Sequence, residues 1–177
     1  NKKFLSLHVK DNSRQNMINE IYLKEENIEL FLNNIKNTYL KSPYFERYYE
    51  IFKDLFNRNI GENLANFNLI LIKEICKFLD IKLTYYLTSN YNFMNKKEFL
   101  ILEILKYFKA DTYLSNVGSK RYVKDEFFIK NDIKIIYNEF KHPTYNQNLK
   151  KENIFIENLS IFDLLVNEKD PQKFFKY

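Results

Sequence analysis

The sequence predicts an α/β fold: a parallel sheet of three-layer type, with three helices inserted between the first strand and the parallel strands. Two observations carry this. From Glu25 to Leu79 the apolar residues recur at helical spacing in three successive runs. Beyond Ile81 short apolar runs alternate with helical ones, in the order strand, helix, strand, helix, strand. That order favours parallel pairing with right-handed crossovers. No linker or repeat interrupts the 177 residues, so the expectation is one domain over 1–177.

The elements follow in order. Phe4 to Val9 alternates, with Leu5, Leu7 and Val9 on one face and Ser6 and His8 on the other, as a half-buried strand does. A loop over 10–15 follows, and Asn19 to Leu23 reads as a second short strand. The first helix, Glu25 to Leu40, carries Ile28, Phe31, Leu32, Ile35 and Tyr39 on one side. Ser42 is placed to cap the next helix behind Pro43. That helix carries an aromatic stripe of Tyr44, Phe45, Tyr48, Phe52 and Phe56, which reads as core rather than as a base-stacking platform. The third runs from near Gly61 to Leu79.

Ile81 to Leu87 then reads as a strand, and Asn95 to Glu98 as a capping box opening a helix apolar on nearly all sides and therefore well buried. Asp111 to Leu114 is a short strand, 120–130 a helix, and Ile133 to Tyr137 the last strand. A polar loop over 138–151 precedes Ser160 to Asp163, whose spacing again fits a capping box. Pro171 to Tyr177 is a terminal helical turn.

Composition excludes several classes. The net charge is +5, but the basic residues are spread along the chain, which describes a solvated surface better than a phosphate-binding one. A single cysteine, Cys76, rules out an internal disulfide and a cysteine-cluster metal site, and its helical setting reads as a small buried hydrophobe. Two distant histidines without an HExxH pattern argue against catalytic zinc, so no metal is expected. No apolar run is long enough to span a bilayer and no signal-peptide pattern is visible, so the expectation is a cytoplasmic protein without membrane insertion.

In parallel α/β sheets, ligands bind outside the carboxyl ends of the strands. Three loops qualify there: 88–90, 115–119 and 139–147. They offer Ser89, Ser115, Asn116, Gly118, Ser119, Tyr145 and Gln147 for a polar ligand, with Lys120 and Tyr122 just beyond. Gly118 allows close backbone approach and Lys120 and Arg121 are placed to meet a phosphate, but the SNVGS run is neither a P-loop nor a dinucleotide fingerprint. It reads equally as an ordinary turn with a helix cap or as a phosphate cradle. His142, beside Pro143 and near Glu139 and Tyr145, is the candidate for proton transfer. It reads also as a histidine that holds its loop by hydrogen bonds. Ser160 and Asp163 are read as a helix cap rather than as a nucleophile and its partner.

Seven pieces then carry a family resemblance: FLSLHVK at 4–10, TYLKSPYF at 38–45, ENLANFNLILI at 62–72, FLDIKL at 78–83, ADTYLSNVGSKRYV at 110–123, IKIIYNEFKHPTYNQ at 133–147 and FIENLSIFDLLVN at 155–167. In this order they resemble the WbqC-like protein family, associated with bacterial O-antigen and related surface-polysaccharide clusters. The family carries a further N-terminal section, with a His-Gln-Pro-type motif and an Asp-Asp-Val-Gln-type segment. Neither is present here, so the chain is expected to be N-terminally incomplete. It also favours a glycine where this chain has Ser119.

The resemblance implies an enzyme that transfers an acyl or aminoacyl group, glycyl included, to a nucleotide-linked amino sugar. In that scheme Ser115, Asn116, Gly118 and Ser119 hold the donor or a nucleotide phosphate. His142 takes the proton of the attacking amine, oriented by Glu139 or Tyr145, while Ser89 and Gln147 bind sugar hydroxyls. ATP is the cofactor this scheme admits, and aminoacyl-tRNA a partner. The rival from another class is a non-catalytic module that binds the nucleotide sugar for a transferase.

Overall fold

The computed structural model describes residues 2–10, 15–147 and 155–175. Most of the predicted loop over 10–15, the end of the loop over 138–151 and the last two residues of the terminal turn lie outside the described residues. The elements run α1 (Ile28–Tyr39), α2 (Phe45–Asn59), α3 (Leu64–Phe78), α4 (Lys97–Tyr107), β1 (Thr112–Asn116), α5 (Asp125–Ile129), β2 (Lys134–Asn138) and α6 (Ile161–Asn167), with short 3₁₀ turns between them. They fall into two compact units, Asn1–Leu83 with His142–Tyr177, and Thr84–Lys141.

The first unit is built on aromatic burial. α2 places Phe45, Tyr48, Tyr49, Phe52 and Phe56 three or four residues apart, and all five are buried. Their rings meet others edge-on: Phe56 with Phe67 of α3 at 5.0 Å, Tyr48 with Phe78 at 5.0 Å, and Phe52 with Phe162 of α6 at 5.1 Å. The stripe is core, as its spacing predicts. α6 is only seven residues long, yet Phe162 through Asn167 are all buried. The α2 start is not capped by Ser42. Instead the Tyr44 N–H donates to the Val166 carbonyl at 3.0 Å, which ties the beginning of α2 to the end of α6. Asn63 caps α3, its Oδ1 accepting from the Asn66 N–H at 3.0 Å. Cys76 is half-buried rather than buried.

The predicted first strand survives as a single antiparallel bridge, Val9 to Leu23. Hydrogen bonds flank it, Lys10 N–H to the Tyr22 carbonyl at 2.7 Å and Lys24 N–H to the His8 carbonyl at 2.8 Å. Leu7 and Val9 face the core and His8 is exposed, as the alternation predicts, but Leu5 of the same predicted face is exposed and no ladder forms among the described residues.

In the second unit β1 and β2 pair in parallel, in register from Thr112 with Lys134 to Asn116 with Asn138. α5 lies in the connection between them. Ile81–Leu87, predicted as a third strand, forms no ladder among the described residues. Ile81, Tyr85, Tyr86 and Leu87 are all exposed, so no buried face fixes a strand register there. What stands is a mixed helix-and-sheet architecture with a small two-stranded parallel sheet. Its core is Leu102, Phe128 and Ile133, with Ile101, Leu105, Tyr113 and Ile135 packed around them.

Two further expectations are corrected here. α4 buries only Leu102, while Phe99 and Tyr107 are exposed: an all-round apolar helix needs neighbours on every side, and this small unit does not supply them. Its start carries no capping box. Glu103 reaches back instead, accepting from the Asn95 N–H and Nδ2 at 3.0 Å each and from the Met94 N–H at 3.3 Å. These bonds, the Asn95 amide foremost, hold its carboxyl below the ordinary glutamate value. The helix predicted over 120–130 is divided into a 3₁₀ turn, Val117–Arg121, and α5.

Candidate functional site

The predicted site residues fall into two groups, one in each unit. In the second unit, β1 delivers Ser115 and Asn116 to the turn Val117–Arg121. Asn116 caps that turn: its Oδ1 accepts from the Ser119 N–H at 3.0 Å. The Ser119 hydroxyl donates to the Asn116 carbonyl at 2.7 Å and lies 2.5 Å from the buried Ser115 hydroxyl. A Cβ on Gly118 would come within 3.2 Å of the Asn116 Oδ1, a close contact that the Asn116 side chain would have to relieve. The loop is therefore a capped turn whose Ser119 amide already has a partner.

Lys120 Nζ sits 4.6 Å above the Tyr137 ring. Tyr122 is exposed, as are Ser89 in the turn Thr88–Asn90 and Glu139 just beyond β2.

In the first unit, the stretch following the crossover brings His142, Tyr145 and Gln147 around a side chain read from the sequence only as a cap. Asp163 is 4 % exposed, in the first turn of α6. Its Oδ2 accepts from the Tyr145 hydroxyl at 2.7 Å and from Gln147 Nε2 at 3.1 Å. Tyr39, from the last turn of α1, acts on the carboxylate electrostatically. The predicted cap is half right: the Ser160 hydroxyl accepts from the Phe162 N–H at 3.3 Å, while the Asp163 carboxylate turns inward to Tyr145 and Gln147.

Electrostatics follow from that burial. Desolvation raises the Asp163 carboxyl above its ordinary value, opposed by the hydrogen bonds from Tyr145 and Gln147, by Tyr39 and by the charge of His142. Burial first, then the Asp163 charge, push the Tyr39 hydroxyl well above the usual tyrosine range, and burial and the hydrogen bond to Asp163 do the same to Tyr145. Both phenols stay protonated across the physiological range. No buried side-chain polar atom among the described residues lacks a partner.

Gln147 is clamped further. Its Nε2 donates to the Ile156 carbonyl and its Oε1 accepts from the Ile156 N–H, both at 2.8 Å. His142 Nδ1 lies 2.9 Å from the Pro143 carbonyl. A carbonyl only accepts, so in the neutral ring this bond puts the proton on Nδ1 and makes Nε2 the basic nitrogen. The ring stands 6.0 Å from that of Tyr145 and 5.6 Å from that of Phe155. Among the described residues no group of three or more His, Cys, Asp and Glu is placed to hold a metal ion.

The polar core of this unit is thus centred on Asp163, which motif spacing singled out only as part of a helix cap. A signal was available: an aspartate inside the apolar run SIFDLLVN must either face water or find buried donors.

The chain matches the WbqC-like protein family over residues 1–173. It belongs to that family. No curated protein and no solved structure matches it significantly. For this WbqC-like chain, no helix among the described residues is long and apolar enough to cross a membrane.

Proposed function

We propose that this WbqC-like protein is an enzyme of surface-polysaccharide biosynthesis that transfers an acyl or aminoacyl group to the amine of a nucleotide-linked amino sugar. Family membership supports the polysaccharide context. The observation that carries the chemistry is the His142–Pro143 hydrogen bond, which places the neutral ring's proton on Nδ1 and so gives Nε2 the lone pair that general-base work requires. In this reading the amine nitrogen attacks the acyl carbonyl and forms the C–N bond. His142 Nε2 takes the amine proton, and the donor's leaving group departs with the electron pair of the broken acyl bond. Tyr145 and Gln147 hold the ring's surroundings. Taken by itself, the second unit's turn Ser115–Ser119, with Lys120 and Tyr122 beyond it, offers polar groups of the kind that bind a nucleotide phosphate. ATP or aminoacyl-tRNA supplies the activated acyl group.

The test is incubation with a panel of nucleotide-linked amino sugars and glycine, with either ATP or glycyl-tRNA, read by mass spectrometry. A glycyl increment is expected, reduced roughly 10²- to 10⁴-fold in His142→Ala. Saturable sugar-nucleotide binding without any increment would favour the second reading, a non-catalytic binding module.

A further inference from the structure

A cleft of about 320 Å³ opens in the first unit between α1, the residues ahead of α6 and residues 2–5. Its walls are apolar. α1 contributes Phe31, Ile35 and Tyr39, spaced along one stripe of the helix, and Leu159 and Phe162 line the cleft beside them. The Phe162 ring meets that of Tyr39 edge-on at 5.5 Å, so the two make a continuous apolar surface. Asn158 takes a left-handed conformation, with φ of 58°, which asparagine tolerates, and the chain turns there to bring Leu159 and Ser160 to the rim. Residues 2–5 complete the rim and form no ladder among the described residues.

The charges at this cleft have one sign. Lys2 and Lys3 line it and no carboxylate does. Neither lysine is in an ion pair among the described residues. The Ser160 hydroxyl accepts from the Phe162 N–H at 3.3 Å, and its proton is left to donate. Two other clefts of the same unit are built differently. The one between α1 and α2 sets Glu25, Glu29 and Glu50 against Lys36 and Lys53. The other holds Lys10, Lys24, Glu25 and Glu26, with Lys10 paired to Glu25 at 3.5 Å. Mixed charges of that kind describe a solvated face. Apolar walls under a cationic rim describe a pocket for a molecule with an apolar body and an anionic end.

Volume limits that molecule. At about 30 Å³ for a group of water's size, the cleft has room for about ten non-hydrogen atoms. That accommodates a medium-length acyl chain with its head group, and excludes a whole nucleotide sugar.

We propose that this cleft binds a medium-chain amphipathic anion, its acyl chain against Phe31, Ile35 and Phe162 and its carboxylate or phosphate at Lys2, Lys3 and the Ser160 hydroxyl. The proposal goes beyond the transferase reading and stands apart from it, since none of these residues acts in that scheme.

The test titrates the full chain with octanoate, octyl phosphate, octanol and octylamine by calorimetry at low salt, with the Ile35 and Leu159 methyl resonances followed by NMR. Both anions are expected to saturate and to shift those methyls, and the tighter of the two identifies the head group. Octanol should bind about tenfold more weakly than octanoate, and octylamine more weakly still. Hexanoate, shorter by two methylenes, should also lose about tenfold. The double variant Lys2→Gln, Lys3→Gln changes only exposed side chains, and should lose about tenfold in octanoate affinity while leaving octanol unchanged. Lys36→Gln with Lys53→Gln, at the cleft between α1 and α2, should alter neither.

Octanol binding as tightly as octanoate would overturn the anionic head. Octanoate affinity unchanged in the Lys2 and Lys3 double variant, or unmoved Ile35 and Leu159 methyls, would place the ligand elsewhere and overturn the site. So would the lack of saturable binding by either anion. A chain that modifies no amino sugar and still binds octanoate here would lose the transferase reading and keep this one.

Discussion

The two units solve the same problem with different resources. The first buries a continuous aromatic set from α1, α2, α3 and α6, and encloses a polar network within it. The second closes a core around three buried side chains, Leu102, Phe128 and Ile133, and leaves Leu114 of β1 and Ile136 of β2 exposed on one face of its sheet. The difference follows from surface-to-volume scaling: a short segment of chain cannot cover every apolar side chain it carries. It also separates the candidate residues by character. The group around His142 is held by buried hydrogen bonds, whereas the Ser115–Ser119 turn is held by its own local cap.

Core truncation should expose the contrast most strongly. Leu165→Ala, at a site with 0 % exposure in α6, should cost about 4–5 kcal/mol, and Leu102→Ala of α4, at 9 %, nearer about 2 kcal/mol. Urea unfolding of both variants measures the gap, and equal losses would mean the second core is as well enclosed as the first.

Next in size is the pH dependence of the buried carboxylate. Its folded value lies above the unfolded one, so its contribution to stability is fully present below the ordinary aspartate range and is lost as pH rises through the raised folded value. Melting temperatures taken from pH 3.5 upward should show that slope, and Asp163→Asn should flatten it. An unaltered slope would place the titrating group elsewhere.

Helix ends offer a smaller effect. The chain has only two glycines, so Asp80 after α3 and Lys109 after α4 take left-handed backbone conformations with φ of 54° and 53°. Each stop closes through its own bonds, Ile81 N–H to the Cys76 carbonyl at 2.9 Å and Ala110 N–H to the Leu105 carbonyl at 2.8 Å. Lys109→Gly should stabilise the chain by about 1 kcal/mol in denaturant titration, since glycine carries no Cβ penalty there.

The smallest effect is at alkaline pH in the second unit. The Tyr137 hydroxyl donates to Asp125 Oδ1 at 2.5 Å, and that bond foremost pushes it up to about 12. Its contribution is fully present below the ordinary tyrosine value of about 10 and lost as pH rises through about 12. Tyr137→Phe should remove this alkaline component from a spectrophotometric unfolding series and change little at neutral pH.

Helical periodicity made α1, α2 and α3 legible, because each buries one face and that face repeats every three to four residues. β1 and β2 were legible for a related reason, short apolar runs ending in turn residues, and their parallel pairing followed from the helix between them. The capping boxes were less so. At Ser160 the hydroxyl caps as its spacing implies, but at Asn95 the amide partner is Glu103, eight residues away. Ile81–Leu87 has the composition of a strand yet no partner among the described residues. Of the candidate site, the local turn at Ser115–Ser119 and the position of His142 could be read along the chain, while the Asp163–Tyr145–Gln147 network could not.

The sequence by itself determined where α1, α2 and α3 form, which α2 face becomes core and which family the chain resembles, since all three depend on patterns within continuous stretches. Tertiary structure alone decided that Asp163 turns inward. Its partners come from residues 145 and 147, and whether a carboxylate at position 163 meets water or buried donors is fixed only when distant segments close around it.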